Sequence, residues 1–226
     1  MNCGCRAVEA IDVHMFIELV DALRCPVPHE ESWLVAAAAR IEHRHIVQGT
    51  LGCPVCSAEY PIADGVVDFR RGADHQAAAL PGAHAEPAMR LAAMLDLTDA
   101  QGFAVLLGRW GSWAEELSAI VETPLILVDP PAGVIGAPGI SVLRTDGDVP
   151  LASGAARAMA IDEVSEIRTA SAVRATRTKG RVVAPATLAL PEGVRELARD
   201  DALWVAEREP APSPLITLHV RRGVIS

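Results

Sequence analysis

Two short segments constrain this chain more than any other feature: Cys25-Pro-Val-Pro-His29 and Cys53-Pro-Val-Cys56. All five cysteines (3, 5, 25, 53 and 56) fall in the first quarter of the 226 residues. A C-x2-C knuckle lets two thiolates grip one tetrahedral ion from a tight turn, and zinc then needs two further donors. Cys25 and His29 supply a thiolate and an imidazole from a segment that opens with the same Cys-Pro-Val turn. The expected ligand set is therefore Cys25, His29, Cys53 and Cys56. His43 or His45 could substitute for His29, and so could Cys3 or Cys5. The bland alternative is a group of ordinary buried thiols, which the repeated Cys-Pro-Val turn disfavours. Cys3-Gly-Cys5 reads as a tail. The N-terminus has no basic region followed by an apolar stretch. The expected location is thus the cytoplasm, where clustered thiols point to metal before disulfides.

Half of the residues are hydrophobic and 22% are charged, which excludes a disordered chain. Twenty basic against 29 acidic residues leave a net charge of −9, a poor basis for non-specific nucleic-acid binding. No apolar run approaches the ~18 residues a membrane span requires. In the first part, 15–24 reads as a helix and 33–38 with 46–51 as a hairpin. Residues 58–62 and 66–69 read as strands around Ala63-Asp64-Gly65. In the second part, helices are expected at 87–96, 112–121, 163–177 and 191–198. Strands are expected at 103–107, 125–128, 141–144, 156–161, 181–184, 202–207 and 215–220. Such alternation argues for βαβ units, with the last two strands as an antiparallel pair.

Met15-Phe-Ile-Glu-Leu-Val-Asp-Ala-Leu-Arg-Cys-Pro-Val27 begins the first part. Leu51-Gly-Cys-Pro-Val-Cys-Ser-Ala-Glu-Tyr-Pro-Ile-Ala-Asp-Gly-Val-Val-Asp-Phe69 ends it. Together they resemble the small zinc-ribbon family that activates tRNA- and protein-modifying methyltransferases. The likeness spans about 15–69 and is carried best by Tyr60-Pro-Ile and Asp64-Gly65. His29 stands where relatives commonly carry a second cysteine. Aligning the family start with Met15 makes 1–14 an extension. The family docks a strand along its partner's sheet, which implies that the ribbon packs on the second part of this chain.

Phe103-Ala-Val-Leu-Leu107 runs into Gly108-Arg-Trp-Gly-Ser-Trp113, Leu125-Ile-Leu-Val-Asp129 ends in an acid, and Ser141-Val-Leu-Arg-Thr-Asp146 follows. A glycine loop after a first strand lets a cofactor approach backbone N–H groups, and an acid ending the second strand can take ribose hydroxyls. This order is similar to class I S-adenosylmethionine-dependent methyltransferases over about 87–222. The resemblance implies Gly108 and Gly111 in the cofactor loop, Asp129 on the ribose and Asp146 near the adenine. Leu106 stands where the family loop carries an acid, Arg109, Trp110 and Ser112 crowd the loop, and no catalytic Asn-Pro-Pro-Tyr type motif follows Ala160-Ile-Asp162. On that reading, Leu106→Asp with Trp110→Gly strengthens cofactor binding. Trp110 and Trp113 could stack on an adenine, but tryptophans three apart at a helix start more often cover the core.

The expected fold is α/β: a small zinc-ribbon domain followed by a Rossmann-like, mostly parallel sheet with a C-terminal antiparallel strand pair. Its units are an extension at 1–14, the ribbon at 15–70, a linker at 71–86 and the methyltransferase-like domain at 87–226. The expected function is that of a zinc-binding, non-catalytic scaffold that binds a protein partner, with S-adenosylmethionine a doubtful cofactor and RNA a lesser candidate. The alternative is an active S-adenosylmethionine-dependent methyltransferase carrying its ribbon activator in cis.

Overall fold

The computed structural model describes residues 15–70, 88–162 and 166–210. Cys3, Cys5, the extension at 1–14, the linker at 71–86 and the strand expected at 215–220 lie outside them.

The first part opens with β1 (Met15–Phe16) and a 3-10 turn over Ile17–Ala22 in place of a full helix. The neighbouring strands take the ends of the expected helix: Met15 and Phe16 pair with Ile46 and His45, while Leu23 and Arg24 bridge Leu151 and Trp33. Six residues remain, too few for a stable α-helix. β2 (Val35–Glu42) and β3 (His45–Gly52) form the expected hairpin. β4 (Glu59–Ala63) and β5 (Val66–Asp68) turn at Asp64-Gly65, where both residues have positive φ. Asp-Gly suits such a turn because both residues tolerate the left-handed region.

The second part runs α1 (Ala88–Met94), β6 (Ala104–Leu107), a 3-10 turn over Gly108–Trp113, α2 (Ala114–Ser118), β7 (Leu125–Val128) and β8 (Ile140–Arg144). It continues with β9 (Ala156–Ala160), α3 (Glu166–Ala175), β10 (Thr176–Pro185), β11 (Val194–Arg199) and β12 (Leu203–Arg208). The strand order β8-β7-β6-β9-β10-β12-β11 is the doubly wound 3-2-1-4-5 arrangement, closed by an antiparallel hairpin. One expectation is corrected here: 191–198 is not a helix. Val-Arg-Glu-Leu-Ala-Arg is rich in helix formers. Pairing of β11 with β12 overrides that preference, and the turn at Gly193 (φ 79°) aims the strand.

A single sheet runs through both parts. β5 pairs in parallel with β8, Val66 opposite Val142 and Asp68 opposite Arg144, and Phe69 N–H donates to the Arg144 carbonyl at 2.7 Å. Strand alternation sorts β6 onto two faces. Val105 and Leu107 join a core with Met15, Leu19, Tyr60 and Phe69 of the first part. Ala104 and Leu106 join another with Leu91, Trp110 and Leu117. A buried parallel strand must be covered on both sides. On one side, the cysteine-bearing part supplies much of that cover, and Phe16 N–H reaches the Ser141 hydroxyl at 3.2 Å.

Candidate functional site

The Cys-Pro-Val turns converge. Cys25 follows the Arg24–Trp33 bridge, and Cys53 follows β3. The knuckle closes through Cys53 N–H to the Ala58 carbonyl (2.8 Å) and Ser57 N–H to the Cys53 carbonyl (3.0 Å), with Ser57 in the left-handed region. The ligating atoms of Cys25, His29, Cys53 and Cys56 all lie within 4.8 Å of one another, so this cluster could hold a metal ion. Cys25 Sγ is 3.7 Å from Cys56 Sγ, and Cys53 Sγ is 3.5 Å from His29 Nε2.

Those separations fit a tetrahedral ion. Zn–S bonds of about 2.3 Å and Zn–N bonds of about 2.0–2.1 Å at the tetrahedral angle place two sulfurs about 3.8 Å apart, and sulfur and nitrogen about 3.5 Å apart. His29 Nδ1 lies 2.5 Å from the Glu30 carbonyl, which can only accept. That contact puts the ring proton on Nδ1 and leaves the Nε2 lone pair facing Cys53. Burial opposes ionisation of Cys53, but N–H groups of Cys56 and Val55, with the Cys56 and Cys25 thiols, more than offset it and lower the thiol to about 6. Burial pushes the Cys25 thiol up, against the hydrogen bond from Tyr60. A ligand set with one thiol already inclined to ionise suits a divalent cation.

The other four sequence-derived residues all lie at the carboxyl edge of the sheet. Gly108 and Gly111 are in the turn after β6, and Asp129 and Asp146 follow β7 and β8. The loop after β6 packs closely on the neighbouring strand ends. A Cβ on Gly108 (φ 57°) would come 2.5 Å from Asp162 Oδ2, and one on Gly111 would come 2.7 Å from Pro130 Cβ. These glycines let the loop close onto the ends of β9 and β7. Asp162 Oδ2 accepts from Arg109 N–H at 2.9 Å, and its Oδ1 meets Arg109 Nε at 3.1 Å. Trp110 Nε1–H donates to the Ile161 carbonyl at 3.0 Å. The loop after β6 is thus sewn to the end of β9 across the point where the strand order reverses, the place where open α/β sheets bind ligands.

Asp129 is engaged as well. Its Oδ1 accepts Thr145 N–H at 2.9 Å and its Oδ2 pairs with Arg168 of α3. Asp146 is exposed. Arg70 is held above its ordinary value by Asp68 first and then by Asp129 and Asp146, so Asp129 and Asp146 act on one guanidinium. The roles of Asp162, Arg109 and Arg168 here were not read from the sequence. A strand-ending acid at 162 was visible, but its partner lies 53 positions away. The Leu106→Asp with Trp110→Gly expectation is also corrected. Both side chains are core, Leu106 fully and Trp110 with 2% exposed. Such a double change would bury an unpaired carboxylate and open a void rather than a cofactor space. A cavity of about 1000 Å³ lies between α3 and the 188–193 segment, and none of Gly108, Gly111, Asp129 or Asp146 lines it.

No family model matches this chain, and no curated protein matches it. Three methyltransferases are among the solved structures it resembles. A geranyl diphosphate methyltransferase in complex with GPP and sinefungin is 18% identical over 43% of this chain and 43% of its own, with a TM-score of 0.35. The antibiotic-resistance methyltransferase Kmr is 15% identical over 59% of this chain and 98% of its own, with a TM-score of 0.36. The T. thermophilus 16S rRNA N2 G1207 methyltransferase RsmC is 16% identical over 62% and 44%, with a TM-score of 0.32. The chain thus spans less than half the length of the first and third of these proteins. The α/β class itself rests on strand order and register: a mostly parallel central sheet with antiparallel strands at both ends. Among the described residues, no helix is long and apolar enough to cross a membrane.

Proposed function

We propose that this chain is a zinc-stabilised, methyltransferase-like protein that performs no methyl transfer and works by binding a protein partner. One observation supports the non-catalytic reading: the loop at the strand-order reversal is tied to the end of β9 by the Arg109–Asp162 pair, and the acid in the ribose position is paired with Arg168. A cofactor would compete with charge-assisted hydrogen bonds that both carboxylates already accept. Bonds of that class contribute on the order of 1.5–3 kcal/mol each.

Cys25, His29, Cys53 and Cys56 would hold the zinc. Four protein donors leave no open coordination position, so the ion would stabilise the fold and supply no reaction chemistry. Trp33, Val35, Ile41 and Val55 leave large apolar side chains exposed on the cysteine-bearing part. Surface of this kind, where it is contiguous, is commonly covered by protein partners.

Calorimetry with S-adenosylmethionine on the zinc-loaded protein tests the reading. The expected Kd is weaker than ~100 µM, against the micromolar range of a working site, a gap of at least ~1.4 kcal/mol. Micromolar binding that is lost in Asp129→Ala would overturn this reading and favour the active methyltransferase with its ribbon in cis instead.

A further inference from the structure

We infer that Tyr60 is a positioning residue of the metal centre: its phenol O–H donates to the Cys25 thiolate from outside the ligand shell. The inference rests on the zinc reading above and concerns a residue outside the four ligands.

Tyr60 belongs to β4, where it sits opposite Leu51 of β3, two residues before Cys53. Its ring is buried, with 3% exposed, and packs against Phe69 with centroids 4.8 Å apart and planes tilted by 48°. Burial between strands fixes the direction of the hydroxyl, and its oxygen lies 3.3 Å from Cys25 Sγ. A buried phenol needs a polar partner. A metal-bound thiolate has no proton to give, so in the loaded state the hydrogen in this contact must be the tyrosine's.

The contact joins two parts of the chain that the sequence holds apart. Cys53 and Cys56 share one knuckle, and N–H groups of Val55 and Cys56 serve the Cys53 sulfur from within it. Cys25 lies on a separate segment, tied back by its own N–H to the Ser32 carbonyl at 3.1 Å. The Tyr60 hydroxyl reaches that sulfur from the strand that follows the knuckle. It thereby holds the first half of the ligand set against the second and draws charge from the sulfur. Outer-shell donors of this kind change metal affinity by about 10–100-fold when removed.

Tyr60→Phe keeps the ring and its packing on Phe69 and removes only the O–H. Zinc affinity is measured in the full chain by competition with a chromophoric chelator. Cobalt(II) is then substituted to read the thiolate-to-metal charge-transfer band, and the metal-free protein is melted. The expected result is one metal per chain in both proteins, affinity at least about tenfold weaker in Tyr60→Phe, a charge-transfer band shifted to lower energy, and unchanged melting of the metal-free form. Equal affinity with an unmoved band overturns the inference while leaving the zinc reading intact. Weaker affinity with an unmoved band and a destabilised metal-free form assigns Tyr60 a packing role and also overturns it. Failure of the unaltered chain to bind stoichiometric metal overturns the zinc reading itself, and this inference with it.

Discussion

Removing the metal with a chelator, or breaking its site with Cys53→Ser, is expected to lower the melting temperature by about 8–16 °C. A ligand that binds only the folded state adds about 4 kcal/mol when its free concentration is a thousand times its Kd. In a chain of this size each kcal/mol is worth about 2–4 °C. Zinc-finger peptides unfold outright without metal because they have no other core. Here Met15, Leu19, Leu51, Tyr60 and Phe69 share a core with Val105, Val128 and Met159 of the main sheet, so the cysteine-bearing part retains apolar cover. The loss is nevertheless expected to reach the whole molecule, because β5 is hydrogen-bonded into the sheet beside β8. The transition should shift as one unit, with native mass spectrometry giving about one zinc per chain before chelation. A chelated protein that melts unchanged would rule out a structural metal.

Trp110→Ala is expected to cost about 3–5 kcal/mol of stability, as for other buried aromatic truncations, and to leave S-adenosylmethionine affinity unchanged. The indole is buried, lies 5.0 Å from the Trp113 ring at a 36° tilt, and donates to the Ile161 carbonyl. Truncation removes that packing and orphans a carbonyl at the end of β9. A tryptophan that stacked on a bound adenine would behave in the opposite way, with near-normal stability and a loss confined to ligand binding. Denaturant unfolding beside calorimetry separates the two, and unchanged stability would refute the core assignment.

The strands and the cysteine–histidine cluster were legible for local reasons. Leu125-Ile-Leu-Val128 is a continuous apolar run between turn-forming residues, and it forms the strand the pattern names. Asp64-Gly65 announced its hairpin because few residue pairs accept two left-handed conformations. Cys25, His29, Cys53 and Cys56 could be grouped because a C-x2-C knuckle and a second Cys-Pro-Val turn bearing a histidine match the donor pattern of a tetrahedral metal site. The 191–198 segment defeated the same reasoning. Its residues favour helix taken alone, and only β12, reached through the turn that follows, makes them a strand.

The carboxyl edge of the sheet shows the limit most clearly. Sequence alone determined which residues end the strands: Gly108, Asp129, Asp146 and the acid at 162. Whether a space remains among them depends on which side chains cross from other elements. Arg109 turns back onto Asp162 and Arg168 reaches Asp129 from α3, pairings 53 and 39 positions apart. No local propensity encodes such distances. They arise when the sheet assembles and brings oppositely charged groups together at one partly exposed edge, where they can pair only once the backbone has placed them. The resemblance implied that the first part packs on the sheet, but the choice of β5 and β8 as the strands that meet was decided the same way. Backbone N–H and C=O groups that any sequence possesses found partners only because the tertiary fold laid two edges side by side.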